Sequence, residues 1–382
     1  MKIGFLFNHS AAHQVAHSLP IANALARSHP DIDVTVLVGG DVIEAEVQRL
    51  IGTASNLKME RLQMPGTVAH WVQRLSGSAI PAERYSFLER NLDAFRALDA
   101  LVVPEKTSLL LKTRFGLKDL KLIHTRHGAG DRAIGFNKAS GLFDFVLLSG
   151  PKVRDRLNAN GLLKPGGHAI VGYPKFDLLR DAPPPRIFDN DRPTVLYNPH
   201  PSPALSSWYR MGQDVLEYFA RSVRYNLIFA PHVMLFAKRF NISLSPLSFS
   251  RVGEVPAHIR DCSHIHVDLG SQASVDMSYT RLADIYLGDA SSQIYEFLST
   301  PRPAVFLNPT HLKWQGNPDF SHWQSGPVVD DIGGMDQALQ NALPLAPHWR
   351  EAQEKLFAYT FDLGDTPSSE RAAKAIADYM EA

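Results

Sequence analysis

The chain has 382 residues, 45% hydrophobic and 20% charged, which is ordinary globular composition sized for two domains rather than one core. Lys+Arg and Asp+Glu both total 39, and this balance argues against nucleic acid as the main partner, because duplex binding usually shows as a basic excess. A single cysteine, Cys262, excludes an intramolecular disulfide framework; the opening run Ile3–Phe7 is too short for a signal-peptide core, and no stretch approaches the roughly 20 apolar residues that cross a bilayer. The expected location is therefore cytoplasmic, with attachment to a membrane surface as the most that the pattern allows.

In chain order, Lys2–Asn8 reads as a buried strand and is followed by a helix from about Ser10 to Ser28. Asp33–Gly39, Leu98–Val103, Leu120–Thr125, Phe143–Ser149 and Ala169–Gly172 continue as strands with helical pieces between them. Unbroken apolar runs of this kind suit strands buried on both faces of a parallel sheet. Asp181–Pro193, with three consecutive prolines, cannot continue a helix or central strand and reads as a linker. The alternation then restarts, with strands at Thr194–Tyr197, Asn226–Ala230, His264–Val267, Asp284–Leu287 and Ala304–Leu307 and a helix at Ser206–Ser222. Helices near Met335–Ala342, His348–Tyr359 and Ser368–Met380 close the chain.

Two similar α/β halves around a Pro-rich hinge describe the GT-B plan, an α/β fold of two Rossmann-like doubly wound domains facing a central cleft. The expected boundaries are 1–180 for the N-terminal domain, 181–193 for the linker and 194–345 for the C-terminal domain. Residues 346–382 form closing helices that can pack back on the N-terminal domain.

Four stations stand where a strand hands over to a loop or helix, the place where open α/β sheets bind ligands. In Leu122–Arg132 a strand ends in a glycine-spaced loop carrying His127, with Arg132 five residues on. A histidine with an unperturbed pKa of about 6.5 can take a proton from a hydroxyl at neutral pH, or it can simply bond its own turn. Gly172-Tyr173-Pro174-Lys175-Phe176-Asp177 makes a rigid turn presenting a cation and a carboxylate, or a domain-boundary turn with a solvated Lys175. Asn226–His232 ends in Pro231-His232, where an imidazole can donate to a phosphate oxygen or brace the turn; Tyr197–Pro201 has the same strand-then-Pro-His form. Finally, a strand runs into Asp289, and Ser291-Ser292 open a helix containing Glu296. Free N–H groups, the helix dipole and two hydroxyls can hold an anion there, or one serine merely caps the helix.

Weaker signals complete the survey. His9, His13 and His17 recur every four residues and can share a helix face, but no carboxylate accompanies them at metal-ligand spacing, so the acceptor side of the cleft is their other role. Cys262, His264 and His266 lack a fourth ligand at familiar spacing. Trp314, Phe320 and Trp323 read as packing under a loop.

Taken in order, the stations resemble the CDP-glycerol glycerophosphotransferase family, whose pattern runs from a His-Gly loop through Gly-x-Pro-Arg-x-Asp, Tyr-Ala-Pro and Arg-Pro-His-Pro to Asp-Tyr-Ser-Ser before an acidic-Phe helix. The matching pieces are His127-Gly128 with Arg132, Gly172–Asp177, Tyr197-Asn198-Pro199, Pro231-His232, and Asp289–Ser292 with Glu296-Phe297. The chain departs from the pattern at Arg132, Lys175, Ala230, Val233 and Ala290, and His200-Pro201-Ser202 replaces the usual Thr-Trp-Arg.

The resemblance implies an enzyme that moves glycerol phosphate, or a related phosphoalditol, from a CDP-activated donor to a hydroxyl of a lipid-linked or glycan acceptor, releasing CMP. It implies His127 as general base on the acceptor side and His232 as a donor to the leaving nucleotide. Asp289, Ser291, Ser292, Glu296, Lys175 and Arg132 fall to the donor phosphates and nucleotide, with His9 and His13 toward the acceptor. No cofactor or structural metal is expected, which leaves room for loosely bound Mg²⁺. A lipid-linked acceptor implies peripheral contact with the inner face of the cytoplasmic membrane. A GT-B glycosyltransferase, a UDP-sugar 2-epimerase and a degenerate nucleotide-binding protein are the alternatives.

Overall fold

The computed structural model describes residues 1–8, 12–66, 69, 71, 82–126, 130–131, 136, 138–179, 186–244 and 246–382, except for the side chains of His13 and Leu244. The chain forms two compact units, one comprising Met1–Gly128, Ile134–Asp181 and Tyr359–Ala382, the other Ala129–Ala133 and Ala182–Ala358. The opening part of the expected linker, 181–185, lies outside the described residues.

The first unit is built on seven parallel strands: β1 (Lys2–Phe7), β2 (Asp33–Val38), β3 (Leu57–Arg61), β4 (Ala100–Val103), β5 (Lys121–His124), β6 (Phe145–Leu148) and β7 (His168–Ile170). Their order is β3-β2-β1-β4-β5-β6-β7. Strand β1 shows why the run is apolar throughout: Ile3, Phe5 and Phe7 enter one core, and Leu6 enters the core on the opposite face. On the first face the helix Val15–Ser28 packs against the C-terminal helix Ser368–Glu381, whose Ala372, Ala373, Ile376 and Ala377 are buried. Strand β3 was not expected from sequence; its Leu57-Lys58-Met59-Glu60-Arg61 is half polar because it is the sheet edge.

The second unit repeats the plan with β8 (Thr194–Asn198), β9 (Asn226–Phe229), β12 (Ile265–Val267), β13 (Ile285–Gly288), β14 (Ala304–Leu307) and β15 (Val328–Val329). They run parallel in the order β12-β9-β8-β13-β14-β15. Between β9 and β12 an antiparallel hairpin, β10 (Phe240–Leu244) and β11 (Leu247–Arg251), forms a separate sheet. The helix Trp208–Arg221 buries Trp208, Met211, Val215, Leu216 and Phe219 at helical spacing against the sheet. Each parallel sheet has its own first strand beside its fourth, so the chain order of the strands reverses there; in the second unit this point lies between β8 and β13. Ligands of doubly wound sheets bind beyond the carboxyl ends of the strands at such a point.

Candidate functional site

Three loops leave the carboxyl ends of β8, β9 and β13, and they are stitched together. Asn198 Nδ2 donates to the Ala230 carbonyl at 2.6 Å, and the His232 N–H donates to the Pro199 carbonyl at 3.0 Å. Asp289, fully buried, accepts from the N–H of His200 at 2.9 Å, from the N–H and hydroxyl of Ser207 at 2.6 and 2.8 Å, and from the Ala290 N–H at 2.6 Å. Burial pushes its carboxyl up to about 6, against the pull of these hydrogen bonds. Asp289 is thus turned into the protein, where it sets the turn that carries His200.

His200 and His232 come together, with ring centroids 5.9 Å apart. Each Nδ1 accepts an N–H of its own turn, from Ser202 at 3.0 Å and from Met234 at 3.2 Å. An acceptor Nδ1 leaves the ring proton of the neutral imidazole on Nε2. The two strand-Pro-His segments therefore fix a pair of N–H donors over the carboxyl edge of the sheet, an arrangement suited to phosphate oxygens. His200 was visible in the sequence only as a repeat of the Pro231-His232 form.

Ser291 is buried and its Oγ accepts the Gln293 N–H at 3.4 Å, while Ser292 is half-buried. The helix that they open, Gln293–Phe297, is little more than one turn, so its dipole is small. Glu296 is buried within it. Arg302 holds the far end, donating to the carbonyls of Thr280, Arg281, Ala283 and Phe297.

Behind the Asp289 turn lies a buried network that sequence reasoning missed. His322 Nδ1 lies 2.9 Å from Asp131 Oδ2, and its Nε2 lies 2.9 Å from the Asp289 carbonyl, to which Trp323 Nε1 also donates at 2.9 Å. Tyr295 donates its hydroxyl to Asp131 at 2.6 Å. The two ring nitrogens of His322 thus tie the Asp131 carboxylate to the Asp289 backbone. The residues are far apart in sequence and carry no spacing signal.

The remaining predicted residues are placed as follows. His9, His127 and Arg132 lie outside the described residues, as does the side chain of His13. Lys175 is buried in the first unit, in the turn Pro174–Leu179. The same turn presents Asp177, whose carboxylate accepts the N–H groups of Ser368 and Ser369 at 3.2 and 2.7 Å and so caps the C-terminal helix. His17 is buried edge-on to Tyr173, 5.1 Å between ring centroids. His264 and His266 have separate partners, the Phe219 carbonyl and the Tyr279 hydroxyl, and do not converge with Cys262. Among the described residues no group of three His, Cys, Asp or Glu side chains is placed to hold a metal ion. A cavity of about 460 Å³ lined by Trp314, Trp349, Lys313 and Asp330 contains none of the predicted site residues.

No family model matches the chain, and no curated protein does. Among solved structures it is similar to the wall teichoic acid polymerase TagF, with a TM-score of 0.60 and 14% identity, covering 100% of this chain and 89% of that one. It is also similar to the S. aureus MnaA–UDP co-structure, with a TM-score of 0.63 and 14% identity over 100% and 97% of the two chains. A third likeness is to the UDP-GlcNAc 2-epimerase from Neisseria meningitidis bound to UDP-GlcNAc, with a TM-score of 0.60 and 10% identity over the full length of both. The fold is that of the GT-B type, α/β with two Rossmann-like units.

Proposed function

We propose that the chain is a transferase that takes glycerol phosphate, or a related phosphoalditol, from a CDP-activated donor and passes it to a hydroxyl of a lipid-linked or glycan acceptor. The observation that carries this reading is the pair His200 and His232, whose Nδ1 atoms are engaged by their own turns. The donor's pyrophosphate then lies against this pair of oriented rings, at the point where the strand order reverses. Attack of the acceptor oxygen on the outer phosphorus forms one P–O bond and breaks the bond to CMP. Charge accumulates on the leaving phosphate, and two fixed N–H donors stabilise it without reorganisation. The half-buried Ser292 adds a hydroxyl on the β13 side. The resemblance of the His127-Gly128 loop gives His127 the part of base, taking the acceptor proton. Likeness to TagF, a variant of which has been solved after a soak with CDPG, supports the same reading.

A second reading, a nucleotide-sugar enzyme, is favoured by the likeness to the two proteins above whose structures hold UDP and UDP-GlcNAc. Incubating the purified protein with CDP-glycerol, CDP-ribitol, CMP-sugars and UDP-sugars plus a membrane lipid extract separates the two. CMP release from a CDP-alditol, lost in His127→Ala, supports phosphoalditol transfer. UDP release, or CMP release from CMP-sugars alone, sinks it.

A further inference from the structure

The hairpin β10–β11 wears its amphipathicity inside out. Its register pairs Phe240 with Arg251, Asn241 with Ser250, Ile242 with Phe249 and Ser243 with Ser248. Cross-strand partners share a face and neighbours alternate, so one face carries Phe240, Ile242, Leu247, Phe249 and Arg251, and the other carries Asn241, Ser243, Ser248 and Ser250. A hairpin lying on a protein normally buries the apolar face. Here Phe240, Ile242, Leu247 and Phe249 are 47%, 61%, 79% and 64% exposed, while the polar set is half-buried. The polar face is also the anchored one: Asn241 Nδ2 donates to the Leu235 carbonyl at 2.9 Å and to the Tyr209 hydroxyl at 3.0 Å. Phe240 and Phe249 stack outward, 5.1 Å between centroids.

Charge points to what covers this face. Lys238, Arg239 and Arg251 are exposed at its base, and residues 218–253 contain no Asp or Glu at all, in a chain whose net charge is zero. We propose that this hairpin docks the second unit on an anionic lipid bilayer. Ile242, Leu247 and Phe249 enter the interface, and the three cations meet the headgroups. A second copy of the chain fits less well, because it would bring the same three positive charges to the contact. The docking element is also wired to the site: Tyr209, which accepts from Asn241, donates its hydroxyl to the Pro201 carbonyl at 2.8 Å, next to His200. The inference stands without the transferase reading; where both hold, two hydrogen bonds in series join the docking hairpin to the turn that carries His200.

The test is co-sedimentation of the full chain with vesicles of phosphatidylcholine and phosphatidylglycerol in equal parts, beside vesicles of phosphatidylcholine alone. The wild type should partition to the anionic vesicles and much less to the neutral ones. Ile242→Ser with Phe249→Ser should weaken partitioning about tenfold or more. Lys238→Glu with Arg239→Glu should weaken it about fivefold per charge. Both pairs are exposed, so unchanged thermal midpoints are expected to confirm folding. Wild-type protein that stays in the supernatant, or variants that sediment like wild type, would overturn the proposal. So would equal binding to neutral vesicles, or a dimer in sedimentation velocity that Ile242→Ser with Phe249→Ser dissolves, since that would give the face to a second copy.

Discussion

The N–H of His200 donates to Asp289 Oδ1 at 2.9 Å, so the turn after β8 is held by a carboxylate at the end of β13. With Ser207 giving a further N–H and a hydroxyl to the other oxygen, Asp289 meets only donors. An amide at this position would set its own N–H₂ against at least one of them. Asp289→Asn should therefore lower stability by about 1–3 kcal/mol, read as a drop in the urea midpoint at neutral pH.

The same carboxylate gives a pH signature. Burial pushes Asp289 up to about 6, whereas the unfolded chain gives up that proton at about 3.9. Between these values the folded state binds the extra proton, so stability contributed by Asp289 is full below the window and falls as pH rises through it. The difference in unfolding free energy between wild type and Asp289→Asn should narrow from pH ~4 to ~6. An unchanging difference would mean that Asp289 is ionised throughout.

Asp131 and His322 form a buried pair with Tyr295 on the same carboxylate. Removing one partner leaves buried hydrogen-bonding groups of the other unsatisfied, which typically costs about 1–3 kcal/mol. Asp131→Asn should lose stability on that scale in chemical unfolding. Combined with His322→Gln, it should lose less than the sum of the two single changes.

In the first unit, Gly172 has φ of +84°, and a Cβ there would lie 2.3 Å from Ser368 Oγ. Gly172→Ala and Asp177→Ala should both loosen the seat of the C-terminal helix, the second by about 1 kcal/mol as the loss of a helix cap. Amide hydrogen exchange should rise within Ser368–Glu381 in both variants, with the second unit unaffected.

Much of the architecture was legible because central parallel strands are continuous apolar runs: Lys2–Phe7, Ala100–Val103 and Asn226–Phe229 can hardly be read otherwise. Edge strands are not. Leu57–Arg61 mixes charges with apolar residues, and Val328–Val329 is too short for any periodicity. The hairpin escaped because its alternation is ordinary and only its orientation is unusual. At the site, two Pro-His turns were visible, but the sequence could not tell that Nδ1 of each is taken by its own turn. Nor could it show that Asp289 points inward, or that Asp131 reaches His322 across 191 residues. Loose local motifs located the loops; which atoms of those loops face a ligand was decided by contacts distant in sequence.

The most direct measurement is calorimetric titration of CDP-glycerol into wild-type protein and into His200→Ala and His232→Ala. If the paired Nε2–H groups hold the donor's phosphates, each substitution should weaken binding about 10- to 100-fold, the worth of one hydrogen bond to a charged group. Wild-type affinity retained in both variants would place the donor elsewhere and contradict the assignment of this edge of the sheet.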